Sequence, residues 1–258
     1  MSYTIFTYGK GIQHRTARLF TSKLHRWLAA ERENLFSLIE YHPAIPLSGV
    51  GIPFKIGSPP AAKAIEKINS HKLTVAHLER KSGVPMLYHR IVRHFIKALL
   101  TTPYFRNERD GEKRSEDYKV VFFEDEQTAG LVRSILVSST YYLSFVALSD
   151  AYHCGRELVL AYPVAIDEFS NETKDQLIAI GNRYERDLFK NSLRRRIRYQ
   201  ATGWIDYDEF YPRKSKAVAD EVDRVLAGHY GFTQEELDFI LNYDVKYRLG
   251  RDAESEEE

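Results

Sequence analysis

The sequence predicts an α+β fold: a small mixed β-sheet with a buried helix, followed by a helical C-terminal part. Three observations carry that prediction. Short β-branched and aromatic runs stand at residues 3–8, 86–99 and 118–123. A long apolar run follows at 126–148, and the last third places apolar residues at helical spacing behind capping residues. With 258 residues, 43% of them apolar, the chain can bury a core as one large domain or two small ones.

In chain order, Tyr3–Tyr8 ends at Gly9 and reads as a strand. Leu24, Trp27, Leu28, Leu35, Leu38 and Ile39 recur at helical spacing, which predicts a helix over 23–41. Residues 42–60 hold five of the nine prolines and read as a loop. A short helix is expected over 60–70, behind Ser58-Pro-Pro. Met86–Leu99 reads as a strand passing into irregular chain, Asn107–Asp117 as an exposed loop and Tyr118–Phe123 as a second strand. Glu126–Leu148 is expected to form one long buried helix, and Asp150 and His153 to cap the turn after it. Helices are predicted at Ser170–Tyr199, Ser215–Gly228 and Thr233–Tyr243. Ser170 offers an N-cap, and Thr233-Gln-Glu-Glu a capping box. The expected division is an α+β unit at 1–165, a helical region at 166–250 and an acidic disordered tail at 251–258.

No apolar run reaches the roughly 20 residues of a membrane span, and no basic-then-apolar leader opens the chain. A single cysteine, Cys154, excludes an intramolecular disulfide and a cysteine-based zinc cluster, and is expected to be a small buried residue. These features predict a cytoplasmic protein without a membrane partner. The net charge of +1 conceals a split, because five acids stand in the last seven residues and leave the body at +6. Arg80–Arg114 holds nine Lys/Arg against three acids, and Arg183–Gln200 seven against two. Such clustering suits a polyanion; the plainer alternative is a set of solvated basic faces.

Several chemistries are missing. There is no Gly-x-x-x-x-Gly-Lys-Ser/Thr loop, no Gly-x-Ser-x-Gly elbow and no His-Glu-x-x-His. Ser48-Gly-Val-Gly51 lacks the third glycine of a dinucleotide fingerprint, and His89 and His94 stand five apart, off one helical face. Of the acid-x-Lys triplets, which form half of some metal-dependent nuclease sites, only Asp117–Lys119 lies against a predicted strand. No catalytic residue and no metal-ligand set is expected.

Tyr211-Pro-Arg-Lys-Ser-Lys216, Asp220-Glu-Val-Asp-Arg-Val-Leu226 and His229-Tyr-Gly-Phe running on to Tyr247-Arg-Leu-Gly250 resemble the terminal signature of adenine-specific DNA methyltransferases. These enzymes belong to restriction-modification and phage-defence systems and include single-chain types. Met86–Lys97 with Pro103-Tyr-Phe105, and Ile135–Tyr142 leading to Ala147–Asp150, are similar to their target-recognition region. The matched stretches span most of residues 80–250. The resemblance implies recognition of double-stranded DNA. It does not extend to catalysis, because the chain lacks the S-adenosylmethionine-binding turn and the Asn/Asp-Pro-Pro-Tyr/Phe motif; its only Pro-Pro is Ser58-Pro-Pro-Ala61. S-adenosylmethionine is therefore expected only in a catalytic partner domain or subunit, and no cofactor in this chain.

Arginine reads guanine edges, and Asn or Gln reads adenine. On that chemistry Arg90, Arg93, Arg106, Asn107 and Arg109 are the expected base-reading residues, and Lys97 is a further expected DNA contact on the same element as Arg90 and Arg93. Strict strand alternation would require a bulge or twist at Arg93. Arg194, Arg195, Arg196 and Arg198 are expected to contact phosphates; as a basic helix end they would be solvated instead. Residues 211–250 read as a packing element that closes the domain, and Trp27 and Trp204 as core or interface anchors. The alternatives are a protein-interaction or scaffolding remnant without DNA binding, and a metal-dependent nuclease resting on Asp117–Lys119 alone.

Overall fold

The computed structural model describes residues 59–249 continuously, together with short strands between residues 20 and 54. The predicted strand at 3–8, the helix over 23–41 with Trp27, and the acidic tail lie outside the described residues. Two minimal antiparallel ladders form: β1 (Phe20–Ser22) with β2 (Tyr41–Pro43), which takes in the last residue of the segment read as a helix, and β3 (Ile45–Pro46) with β4 (Pro53–Phe54), inside the segment read as a loop. Proline at these positions suits short edge strands, since it cannot donate to a continuing ladder.

The α+β class holds. Helix α1 (Pro59–Asn69) opens on two prolines and buries Ala61, Ala64, Ile65 and Ile68, the i, i+3, i+4, i+7 pattern of a one-sided helix. After the single turn α2 (Val75–Leu78), β5 (Val84–His89) runs between β6 (Ala98–Leu99) and β9 (Tyr118–Phe123), all antiparallel. Met86, Leu87 and Tyr88 are buried in succession, so this central strand is covered on both faces. The strand ends at His89: the Arg90 N–H donates to Asp117 O and the Arg90 carbonyl accepts from Cys154 N. Arg93 therefore stands beyond the sheet, and no bulge is needed to place it. Between β6 and β9 lie β7 (Phe105–Asn107) and β8 (Gly111–Glu112).

The apolar stretch 126–148 is two helices, α3 (Glu126–Leu136) and α4 (Ser139–Leu148), bent by 68° at the break between them. Ser138 caps α4 by accepting from Tyr141 N, and it also donates to Ile135 O. Because α4 is buried on every side, its sequence lacks the apolar stripe whose interruption would have marked the break. Among the described residues, no single helix is long and apolar enough to cross a membrane. Cys154 is buried, as expected.

Helix α5 (Arg156–Leu160) leads to α6 (Asn171–Lys190), whose N-cap Ser170 accepts from Thr173 N. The helix predicted to reach Tyr199 stops at Lys190. The arginine-rich segment beyond it is a strand, β10 (Leu193–Tyr199), folded back on β11 (Gly203–Glu209). Gly203 closes this hairpin at φ +71°, where a side chain would be strained and would collide with Glu108. β11 pairs with β7, giving the sheet order β10-β11-β7-β8. Elements from both sides of residue 165 thus share one sheet. A 3-10 turn (Pro212–Ser215) precedes α7 (Lys216–Tyr230), α8 (Gln234–Leu241) and α9 (Val245–Arg248). The Thr233–Glu236 capping box forms as expected. Helix α6 packs on α3 and α7, and α8 on α1.

Candidate nucleic-acid interface

The chain beyond β5 and the four-stranded sheet enclose a cleft of about 1160 Å³. Segment 89–97 forms one side, the β7–β8 turn and the β10–β11 hairpin form the other, and the start of β9 lies between them. Eight Lys/Arg and five Asp/Glu line it, together with nine Tyr/Phe, so the surface is basic and walled by aromatic rings. That composition favours an anionic, flat-ringed ligand over a purely apolar one.

The hairpin explains how the arginine run is divided. Strand side chains alternate faces. Arg195, Ile197 and Tyr199 line the cleft, while Arg194, Arg196 and Arg198 occupy the opposite face. Arg194 Nε donates to Asp208 Oδ1 at 2.8 Å, and its guanidinium sits 3.7 Å from the Tyr104 ring centre. Arg196 stands 3.5 Å from Asp206. Arg196 and Arg198 both lie over the Trp204 ring, which is 41% exposed. The reading of these arginines as a helix end is therefore corrected: they are strand residues with cross-strand acid and ring partners. On the cleft side, Arg195 donates to Glu209 at 2.6 Å and to the Tyr211 hydroxyl, which itself donates to Glu209. Burial would raise the Glu209 pKa, but the bonds from Tyr211 and Arg195 hold this carboxyl below its usual range.

β7 divides its residues in the same way. Phe105 and Asn107 line the cleft, whereas Arg106 lies on the other face, opposite Asp206 and Glu112. Asn107 is 3% exposed and spends both ends of its amide on Asp110: Nδ2 donates to the carboxylate, and Oδ1 accepts the Asp110 N–H. It builds the turn and does not offer its amide to a base. The same Asp110 accepts from Lys113 at 2.7 Å and lies 3.9 Å from Arg109. The turn that presents Arg109 and Lys113 is thus organised by one carboxylate.

On the facing wall, Arg90 Nε donates to Asp117 at 2.8 Å. Arg93 is exposed and lines the cleft. Lys97 is half-buried there; burial, reinforced by Arg93, lowers its pKa to about 8, with Asp117 and Glu209 opposing the shift. Burial and the neighbouring Lys97 charge lower His89 to about 4, so its ring is neutral at pH 7. Lys119 does not line the cleft, so the acid-x-Lys pair is not gathered there as a unit.

The terminal signature underlies this wall. Arg248, 2% exposed, donates to His94 O and to Ser139 Oγ and stacks on Phe95 and Tyr142. Its role is the packing one expected of residues 211–250. Asp150 accepts from the Tyr152 and His153 N–H groups, the expected cap of that turn.

Of the ten sequence-predicted contacts, Arg90, Arg93, Lys97, Asn107, Arg109 and Arg195 line one cleft, while Arg106, Arg194, Arg196 and Arg198 lie elsewhere. Sequence reasoning missed Lys113, Tyr199, Tyr207 and Arg213 as lining residues. Lys113 stands in the basic stretch already counted; the tyrosines carry no local signal. No protein-family model matches this chain, and neither does any curated protein or solved structure.

Proposed function

We propose that this chain recognises a sequence on duplex DNA for an adenine-methylation system, with S-adenosylmethionine and the chemistry supplied by a separate catalytic domain or subunit. The observation that carries the reading is the cleft, where Arg90, Arg93, Arg109 and Arg195 from distant parts of the chain converge among exposed and half-buried tyrosines. The β10–β11 hairpin adds support. A two-stranded ribbon fits the major groove of B-DNA, about 12 Å wide, and this one carries arginines on both faces. Short ion pairs pre-position several of these guanidiniums, which lowers the ordering cost of binding. The place of action is the cytoplasm, where the DNA and the partner methyltransferase are.

The test is fluorescence anisotropy of labelled duplexes with the full-length chain across a salt series. Binding to phosphates predicts that log K falls linearly with log salt, with a slope of about −0.9 per phosphate neutralised. Absence of binding at low salt, or affinity indifferent to salt, overturns the proposal.

A further inference from the structure

Away from the cleft, three residues far apart in sequence meet. His71 follows the C-terminus of α1, Glu168 precedes α6, and His229 lies in the last turn of α7. One ring nitrogen from each histidine and a carboxylate oxygen of Glu168 all lie within 4.8 Å of one another. The rings are held in place: His71 and His229 stack at 5.3 Å, Phe169 packs edge-on against His229 at 4.2 Å, and Tyr230 abuts both histidines. Glu168 Oε1 and His71 Nδ1 already stand within hydrogen-bond distance, at 2.8 Å.

His229 Nε2 is buried and has no hydrogen-bond partner among the described residues. A buried polar atom left unpaired is costly, and native structures rarely keep one without a reason. Here it stands beside a second imidazole and a carboxylate.

We propose that His71, Glu168 and His229 form a binding site for a divalent transition-metal ion, with zinc the best fit, that staples α1 to α7. Two imidazoles and one carboxylate are a donor set zinc accepts, at about 2.0–2.2 Å from each atom, with water completing the shell. Ligands on a tetrahedral zinc stand about 3.3–3.5 Å apart, so the most widely spaced of these atoms must close by up to about 1.5 Å, through small rotations of the histidine side chains together with that of Glu168, which is 50% exposed. None of the three residues lines the cleft, so the ion acts on structure rather than on the DNA contact. The proposal is independent of the proposed function.

The full-length chain, stripped with chelator and desalted, is titrated with zinc chloride by calorimetry, and with Co2+ while the visible spectrum is recorded. Expected are one equivalent bound, a ligand-field absorption from Co2+, and a thermal midpoint that rises with zinc. His229→Ala and His71→Ala should each weaken zinc binding by more than the roughly 10–100-fold that loss of a metal-orienting neighbour costs. Glu168→Gln, at an exposed position, keeps the fold testable if a histidine variant does not fold, and should lose the same midpoint rise. No bound equivalent, or binding that persists unchanged in Glu168→Gln and either histidine variant, overturns the site and leaves an ordinary ion pair beside a stacked ring.

Discussion

Asp223 in α7 caps the first turn of α4 through Thr140: its Oδ1 accepts from Thr140 N at 2.8 Å and from Thr140 Oγ1 at 2.7 Å. Its second oxygen accepts from Ser139 N at 2.9 Å. These are orphan N–H groups at a helix start, and the partner comes from 83 residues further along the chain. Burial raises the Asp223 pKa, and the three bonds oppose that rise. Asp223→Ala leaves buried donors unsatisfied and should cost about 2–4 kcal/mol in urea denaturation. Asp223→Asn, which keeps an acceptor oxygen, should cost less. A loss below about 1 kcal/mol for the alanine variant would contradict the capping role.

A second buried relationship joins α3 to α6. Arg133, fully buried, donates to Glu185 at 2.8 Å, to Gly181 O and to Asn182 Oδ1, while Glu185 also accepts from the Leu100 and Thr101 N–H groups. Glu185→Ala strands a buried guanidinium and should cost about 3–5 kcal/mol. The double variant Arg133→Met with Glu185→Leu should recover part of that loss, because neither charge then remains, while the Leu100 and Thr101 N–H groups still lose their acceptor. Equal losses in the single and double variants would show that the two side chains do not act as a pair.

Stability should depend on pH through His89. An unfolded histidine takes up its proton near 6.5, whereas the folded chain resists protonation down to about 4. Between those values the unfolded state holds more protons, so stability present above pH 6.5 is lost as pH falls toward 4. The full effect is up to about 3 kcal/mol. Urea midpoints compared at pH 7 and 4.5 should separate less in His89→Gln than in the wild type. An equal separation would assign the acid sensitivity to other groups.

Much of this architecture is legible in local chemistry. Tyr118–Phe123 is a strand, and the caps at Ser170 and Thr233 start helices where their side chains predict. What local chemistry hides is pairing at a distance. Leu193–Tyr199 carries arginine at four of seven positions, and its strand character comes from ladder partners at 203–209; the Gly203 turn and the alternation of Ile205 and Tyr207 with Asp206 and Asp208 were the available signal. The site was half legible. Base-edge chemistry pointed to Arg90, Arg93 and Arg109, but the faces of Arg106 and Arg194 depend on register, which one segment alone does not set. His71, Glu168 and His229 share no local spacing at all.

Lys97 should make duplex binding proton-linked. With its folded pKa lowered to about 8, the ammonium is lost as pH rises through that value, and phosphates approaching the cleft favour the charged form. Affinity measured by anisotropy should therefore fall between pH 7 and pH 9 at constant salt. Lys97→Gln should flatten that dependence, and Lys97→Arg, charged throughout, should flatten it at higher affinity. A wild-type profile that does not change across this range would remove Lys97 from the binding surface.

The hairpin divides the phosphate prediction. Replacing Arg194 and Arg196 together with Ala should flatten the slope of log K against log salt by about two if both touch phosphates. If instead their pairs with Asp208 and Asp206 occupy them, the slope should stay unchanged, and Arg195→Ala, which removes the guanidinium held by Glu209 and Tyr211 on the cleft face, gives the comparison. The salt series on both variants separates the outer face of the hairpin from its cleft face.

The most direct test of sequence recognition is selection of bound duplexes from a randomised pool, run on the full-length chain alone and with a partner methyltransferase. Arg93 and Arg109 line the cleft from opposite walls. An enriched motif is expected, and Arg93→Ala or Arg109→Ala should relax preference at one position at a cost of about 1–3 kcal/mol on the specific site. On random duplex the same variants should lose much less. A pool that enriches no motif under either condition, or variants that enrich the wild-type motif at undiminished strength, would contradict that recognition.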